Sequence, residues 1–275
     1  MNPILITVLI FLGLGIVTSV LLAVASKVFA VEKNETAEKI KECLPGANCG
    51  GCGYSGCAAL SEAVAKGEAK VDSCTVGGKE VAAQIAEIMG VEATTSQRMR
   101  AQVMCSGTSE FAKKKYLYKG IPDCAAAAKI GGGDKLCQNG CIGLGTCAKS
   151  CPFGAIVVER GVAAVDYTKC KGCGVCVAVC PKSIIKLIPF DAKHWVGCSS
   201  VDDGKNTRMK CDVGCISCRI CEKNCEADAI KVNNFVASIE YDKCTGCDKC
   251  MEKCPRHIIW SGEKQGELGL VIKRI

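Results

Sequence analysis

Histidine is nearly absent from this chain: only His194 and His257 occur in 275 residues. Zinc sites commonly mix Cys with His, so the shortage counts against zinc. Aromatic residues are scarce as well, at 5% with two Trp. A chain this long with so few large rings builds one aliphatic core or several small modules. There is no P-loop, no Gly-rich fingerprint after a strand and no Ser/His/Asp arrangement. Gly131-Gly132-Gly133 is a lone run that reads as a turn. Nothing is built to bind a nicotinamide or a flavin, so chemistry at an organic substrate occurs elsewhere. His194 and His257 read as structural or exposed.

Cysteine is what the chain has in excess, with 25 residues, far above ordinary usage. Disulfides, zinc and iron–sulfur clusters compete for such a set. The formal net charge is +7 with every Cys counted as a neutral thiol. A ligating Cys is a thiolate, and a Cys₄-bound [4Fe–4S] centre carries about −2 when oxidised. Five such centres bring the loaded chain to about −3, so the basic count points to no nucleic acid partner.

Ile4 to Ala25 contains no ionisable side chain. Those 22 residues are enough to cross a hydrocarbon core of about 30 Å. A cleaved signal would want a positive n-region and a shorter apolar stretch, and Met1-Asn2-Pro3 carries no Lys or Arg. The reading is an uncleaved single-pass anchor in a bacterial cytoplasmic membrane. Lys27 and Lys33 follow the span, which places the rest on the cytoplasmic side. Thiols stay reduced there, which argues against a disulfide framework. A single span without an ionisable group offers no ion path.

The first cysteine module reads CLPGANCGGCGYSGC from Cys43, with Cys74 further on. Cys49, Cys52, Cys57 and Cys74 are its expected ligand set. The interspersed glycines let the backbone turn tightly and aim amides at a cluster. Short helices are expected over 58–66 and 79–89.

An internal repeat dominates the remainder. Residues 151–185 and 225–259 align at an offset of 74 with 16 of 35 positions identical, so one unit is built twice. Each copy reads as a βαββαβ module of bacterial ferredoxin type with two clusters. The C-x₂-C-x₂-C-x₃-C loops are Cys170, Cys173, Cys176 and Cys180, then Cys244, Cys247, Cys250 and Cys254, then Cys215, Cys218, Cys221 and Cys225. In such loops the fourth Cys ligates the other cluster of the pair. A fourth loop is irregular: Leu144 stands where Cys218 stands in the other copy, and Cys137 is expected to supply the missing ligand.

The expected sets are therefore Cys137, Cys141, Cys147 and Cys180 for one cluster, and Cys151, Cys170, Cys173 and Cys176 for its partner. In the second unit they are Cys215, Cys218, Cys221 and Cys254, then Cys225, Cys244, Cys247 and Cys250. With the first module this makes five clusters. Cys43, Cys105, Cys124, Cys198 and Cys211 remain. They read as buried thiols, or four of them, Cys105, Cys124, Cys198 and Cys211, hold a sixth cluster.

The expected fold is α+β. An anchor (1–28) and a four-Cys module (29–92) lead through a connector (93–133) to the first ferredoxin module (134–190). A linker (191–210), the second ferredoxin module (211–265) and a tail (266–275) follow. Lys113-Lys114-Lys115, the run Lys205 to Lys210 and Lys273-Arg274 are short basic stretches. They are solvated surface or docking sites for an acidic redox partner.

Taken in order, the anchor, LPGANCGGCGYSGC with Cys74, the irregular Cys137–Cys151 loop ending in CPFGAI and the KCKGCGVCVAVCPK loop resemble the B subunit of Rnf complexes, in the extended form of anaerobes. The resemblance covers nearly the whole chain, and the first cluster module is its most specific part. It implies a translocase subunit in a complex that oxidises reduced ferredoxin, reduces NAD⁺ and moves Na⁺ or H⁺. This chain would take electrons from ferredoxin and pass them to membrane and flavin-bearing subunits. Two rival readings keep the relay: a polyferredoxin subunit of another membrane oxidoreductase, or of a complex that reduces a redox-sensing regulator. A zinc-stabilised scaffold is the non-redox rival.

Overall fold

The structure, a computed structural model, describes residues 3–28, 34–92 and 97–261. The tail 266–275 with its Lys273-Arg274 run, and Lys33, lie outside the described residues. Helix α1 (Pro3–Val28) opens on Pro3, where the missing N–H costs nothing. One stretch of it, Val8–Ser26, is long and apolar enough to cross a membrane. Its large side chains stand exposed, Phe11 and Leu22 among them. A patch of that size in water requires cover by lipid or partner helices.

The small module is a three-helix unit. Asn34 caps α2 (Glu35–Cys43) by accepting from the Thr36 and Ala37 N–H groups. Helix α3 (Cys57–Ala65) and helix α4 (Gly78–Met89) pack against it. Ile40, Leu60, Val64 and Ile85 form the core. Gly90 ends α4 with φ of 65°, a left-handed cap that favours glycine. Both expected helices are present within one residue at each end.

Two ferredoxin-type units follow. The first runs β1 (Met99–Val103), α5 (Cys124–Ala128), α6 (Thr146–Lys149), β2 (Ile156–Glu159), β3 (Val162–Val165), α7 (Val175–Val179) and β4 (Ile185–Pro189). Strand β1 pairs antiparallel with β4, Met99 opposite Pro189, and β2 pairs with β3. The second repeats the order: β5 (His194–Val196), α8 (Gly204–Lys210), α9 (Ile220–Lys223), β6 (Ile230–Asn233), β7 (Val236–Ile239), α10 (Lys249–Glu252) and β8 (Ile259–Ser261). Its pairs are β5 with β8 and β6 with β7, both antiparallel.

These pairings correct the expected boundaries. The segments 93–133 and 191–210 are not merely connectors, because each contributes the first strand of its unit. Strand β1 reads Met-Arg-Ala-Gln-Val, yet Arg100 and Gln102 are 2% and 5% exposed. The period-2 alternation that marks a half-solvated strand is missing, because the two units bury both faces of β1 between them.

The seam between the units is polar where it must be. Arg100 donates from Nε to Phe190 O, from Nη2 to Ala192 O and from Nη1 to Gln102 Oε1. Its guanidinium also lies 3.9 Å over the Tyr167 ring. A buried cation needs such complete satisfaction. Ser106 N donates to Gly197 O at 2.8 Å, Ser199 Oγ to Met104 O and Trp260 Nε1 to Ser106 Oγ. His194 is buried in β5 with Nε2 3.1 Å from Asp248 Oδ1, and His257 is exposed.

Candidate iron–sulfur centres

Each thiol set is built from a loop that turns tightly and an element that returns the last sulfur. In the second unit, Cys215, Cys218, Cys221 and Cys254 line one hollow. Burial, then the neighbouring Cys215 thiol, pushes Cys221 up to about 12. Helix α9 carries Cys221, and the end of α10 returns Cys254. Cys225, Cys244, Cys247 and Cys250 form the companion set. Burial followed by Cys244 and Cys225 pushes Cys250 up to about 11. The Ala229 N–H donates to Cys225 Sγ at 3.3 Å.

In the first unit, Cys170, Cys173 and Cys151 all crowd Cys176, which burial first of all pushes up to about 12. Backbone donors again meet the sulfurs: Ala155 N to Cys151 Sγ and Ala101 N to Cys170 Sγ, both at 3.4 Å. The second of these donors comes from β1, which binds the strand to the set.

The remaining set of the first unit differs from expectation. Cys141, Cys147 and Cys180 share their hollow with Cys124, not Cys137. Burial, then Cys124 and Cys180, pushes Cys147 up to about 11. Cys124 is the first residue of α5, and a local lattice fixes it there. Its N–H donates to Thr146 Oγ1 at 2.7 Å, and that hydroxyl donates to Asp123 Oδ2 at 2.8 Å. Asp123 accepts in turn from the Ala126 N–H, which, with the Thr146 hydroxyl, holds its carboxyl below the usual carboxylate range. Helix α5 thus brings a sulfur from upstream to the place that Leu144 leaves without one. Cys137 instead lines a hollow with Cys105, Cys198 and Cys211.

In the small module, Cys52 and Cys57 crowd Cys74, whose thiol is pushed up mainly by burial. The Gly77 N–H donates to Cys74 Sγ at 3.4 Å. Asn48 Oδ1 accepts from the Cys57 N–H at 2.8 Å and so ties the loop to α3. Cys49 carries the remaining thiol of the module, and its charge acts on Cys173 of the first unit, whose thiol is pushed up mainly by burial. Close by, a Cβ on Gly51 would run into the Cys173 carbonyl. Cys43 packs beside the module core.

These donor sets are all sulfur. Among the described residues, no three His, Cys, Asp or Glu side chains converge as a single ion requires. The thiols stand apart around hollows with N–H groups on their sulfurs, which suits a cubane with thiolates at its corners. Paired ferredoxin-type units of helices and antiparallel strand pairs carrying such sets define an iron–sulfur electron carrier.

Comparison with known proteins agrees. Residues 134–182 and 214–259 each match a family described as 4Fe-4S dicluster domain, and residues 44–76 match an Fe-S cluster family. The chain is 44% identical, over 97% of its length and 80% of the relative, to the B subunit of the Na⁺-translocating ferredoxin:NAD⁺ oxidoreductase complex of Acetobacterium woodii. It is 42% identical to the B subunit of the ion-translocating oxidoreductase complex of Methanosarcina acetivorans, over 92% of this chain and 96% of that one. The B subunit of the proton-translocating ferredoxin:NAD⁺ oxidoreductase complex of Clostridium ljungdahlii is 40% identical over 93% and 91%. The chain belongs to the family of B subunits of ion-translocating oxidoreductase complexes. It is an electron-transfer subunit of such an assembly, and its apolar α1 fits a membrane anchor.

Proposed function

We propose that this chain takes electrons from reduced ferredoxin on the cytoplasmic side and relays them toward flavin-bearing and membrane subunits. NAD⁺ is the terminal acceptor, and other subunits move Na⁺ or H⁺. The single observation that carries the relay is the series of four-thiol sets strung along the chain, which lie beside one another. Gly51, two residues from Cys49, meets the Cys173 backbone, and Cys147 and Cys176 lie in one core cluster. A [4Fe–4S] centre bound at each set supplies one-electron transfer at a potential its surroundings tune.

The ligand sets proposed are Cys49, Cys52, Cys57 and Cys74; Cys124, Cys141, Cys147 and Cys180; Cys151, Cys170, Cys173 and Cys176; Cys215, Cys218, Cys221 and Cys254; and Cys225, Cys244, Cys247 and Cys250. The N–H groups of Gly77, Ala155, Ala101 and Ala229 stabilise bound thiolates. Helix α1 holds the relay at the membrane, and the lysines at 27 and 33 orient it.

Docking of an acidic ferredoxin is supported by two of the basic runs, Lys113-Lys114-Lys115 and Lys205 to Lys210. Lys113 N donates to Lys210 O, so both runs share one face. Lys114 and Lys210 are held in ion pairs with Asp134 and Asp202, while Lys113, Lys205 and Arg208 stay exposed. The rate of reduction by ferredoxin is then expected to fall as ionic strength rises; a flat dependence removes this surface.

The test of the function is ferredoxin:NAD⁺ activity of the intact complex with and without Cys49→Ala. Loss of activity with other iron retained is expected. Unchanged activity takes the small module out of the electron path. Visible absorbance that dithionite fails to bleach would sink the relay altogether.

A further inference from the structure

The first unit carries a length of chain that its copy lacks. Cys105 and Cys198 each stand two residues after the first strand of their unit. Their sulfurs accept from the N–H groups of Cys141 and Cys215, which are equivalents in the repeat. From Cys105 to Cys137 the chain takes 32 steps, whereas from Cys198 to Cys211 it takes 13. The extra chain is a loop over 115–133, closed at its base where Lys114 pairs with Lys135. It is pinned to itself and to the unit. Tyr116 Oη donates to Ile130 O, Tyr118 Oη to Ile121 O and Lys149 Nζ to Pro122 O. Compact loops of this kind are frequently functional.

The loop turns its aliphatic residues outward. Leu117, Ile121 and Ile130 are 72%, 69% and 54% exposed. The tyrosine bonds gather them, since Leu117 lies between the tyrosines that reach Ile130 and Ile121. An apolar group held in water by a fixed backbone marks an interaction surface. Its surroundings are basic. Lys115, Lys119, Lys129 and Lys149 are exposed. The one acid of the loop, Asp123, is taken up by the Ala126 N–H and the Thr146 hydroxyl. The same loop carries Cys124, which lines the hollow of Cys141, Cys147 and Cys180.

We propose that the loop 115–133 docks the first ferredoxin unit onto another resident subunit of the complex, one with an apolar face rimmed by carboxylates. Permanent interfaces are more apolar than transient ones. Three outward aliphatic residues suit a resident partner, whereas the charged face of Lys113, Lys205 and Arg208 suits a passing one. The basic rim selects carboxylates around the apolar centre. Where the Cys124 set is a cluster site, as read above, this docking makes it the set of the first unit that the partner covers. The second unit has no such loop and no such hold.

The test uses the intact complex in detergent, with photoreactive benzoylphenylalanine in place of Leu117. Illumination is expected to join position 117 to one other subunit, and mass spectrometry to place the bond in an apolar stretch flanked by Asp or Glu. A bond to lipid, to added ferredoxin or to a second copy of this chain overturns the proposal, and so does the absence of any bond. In parallel, Leu117→Asp/Ile121→Asp sets two charges against the apolar face. Ferredoxin:NAD⁺ turnover is expected to fall about tenfold, with iron per chain and bleaching by dithionite as in the parent. Unchanged turnover overturns the docking. Where the aspartates cost iron, the loop fails in folding and the crosslink alone decides. A crosslink to a subunit from a parent lacking iron upholds the docking and sinks the cluster reading, so the two fail separately.

Discussion

The two ferredoxin units are one design executed with different materials. In the second, one loop supplies Cys215, Cys218 and Cys221 within seven residues. In the first, Leu144 takes the place of Cys218, and helix α5 brings in Cys124. The import needs support that the other unit lacks. Thr146 bridges Asp123 and the Cys124 N–H, and Lys149 Nζ donates to Pro122 O at 2.9 Å. The residue equivalent to Thr146 is Ile220, which has no hydroxyl and no imported helix to hold. The lesson is that the scaffold fixes where a sulfur must stand and leaves open which part of the chain delivers it.

The largest effect is expected from breaking this difference directly. Cys124→Ala should cost the first unit one cluster, about four Fe per chain, with the companion set retained. Adding Leu144→Cys should restore that iron, since it rebuilds the regular loop of the second unit. Iron analysis with EPR of the reduced chain reads both. Cys124→Ala with full iron, or a double variant still short of iron, would show that α5 is packing and not a source of ligand.

The same contrast marks how far the sequence could be read. The regular C-x₂-C-x₂-C-x₃-C loops were legible as 4Fe-4S dicluster domains, because that step is short and fixed. The 74-residue offset made the duplicated unit legible for the same reason. The place of Cys124 in one hollow with Cys141, Cys147 and Cys180 was not legible, because it lies 17 residues before Cys141, beyond any fixed spacing. Its one local signal was Asp123 as a helix cap beside a short alanine run. Strands β1 and β5 were hidden in segments read as connectors. Their Arg100, Gln102 and His194 are polar yet buried by the contact between units, and that contact has no signature in a single chain. The seam thiols fell between these cases. Cys105, Cys198 and Cys211 of the expected sixth set line one hollow, where Cys137 stands in place of Cys124.

A second difference concerns what covers each unit. Cys173 and Cys247 are equivalents. The small module lies against Cys173 through Gly51, whereas Cys247 is exposed. Gly51→Val should push the module away from the first unit. The added atoms meet main chain that cannot yield, which costs about 1–3 kcal/mol. Iron content is expected to stay unchanged while cluster absorbance is lost at lower temperature and electron passage through the complex slows. Unchanged melting and unchanged turnover would mean that this contact neither stabilises the chain nor carries electrons.

The smallest expected effect lies at Thr146. Thr146→Val keeps the shape of the side chain and removes the hydroxyl that joins Asp123 to the Cys124 N–H. Two hydrogen bonds disappear and one buried N–H loses its partner, a loss of about 1–3 kcal/mol at the start of α5. Iron is retained at rest, but one cluster of the first unit should be released first under chelator, while the second unit is unaffected. Ile220→Thr at the equivalent position has no helix to hold and should change nothing. If both substitutions speed iron release equally, the hydroxyl at 146 serves helix α6 in general and has no special part in delivering Cys124.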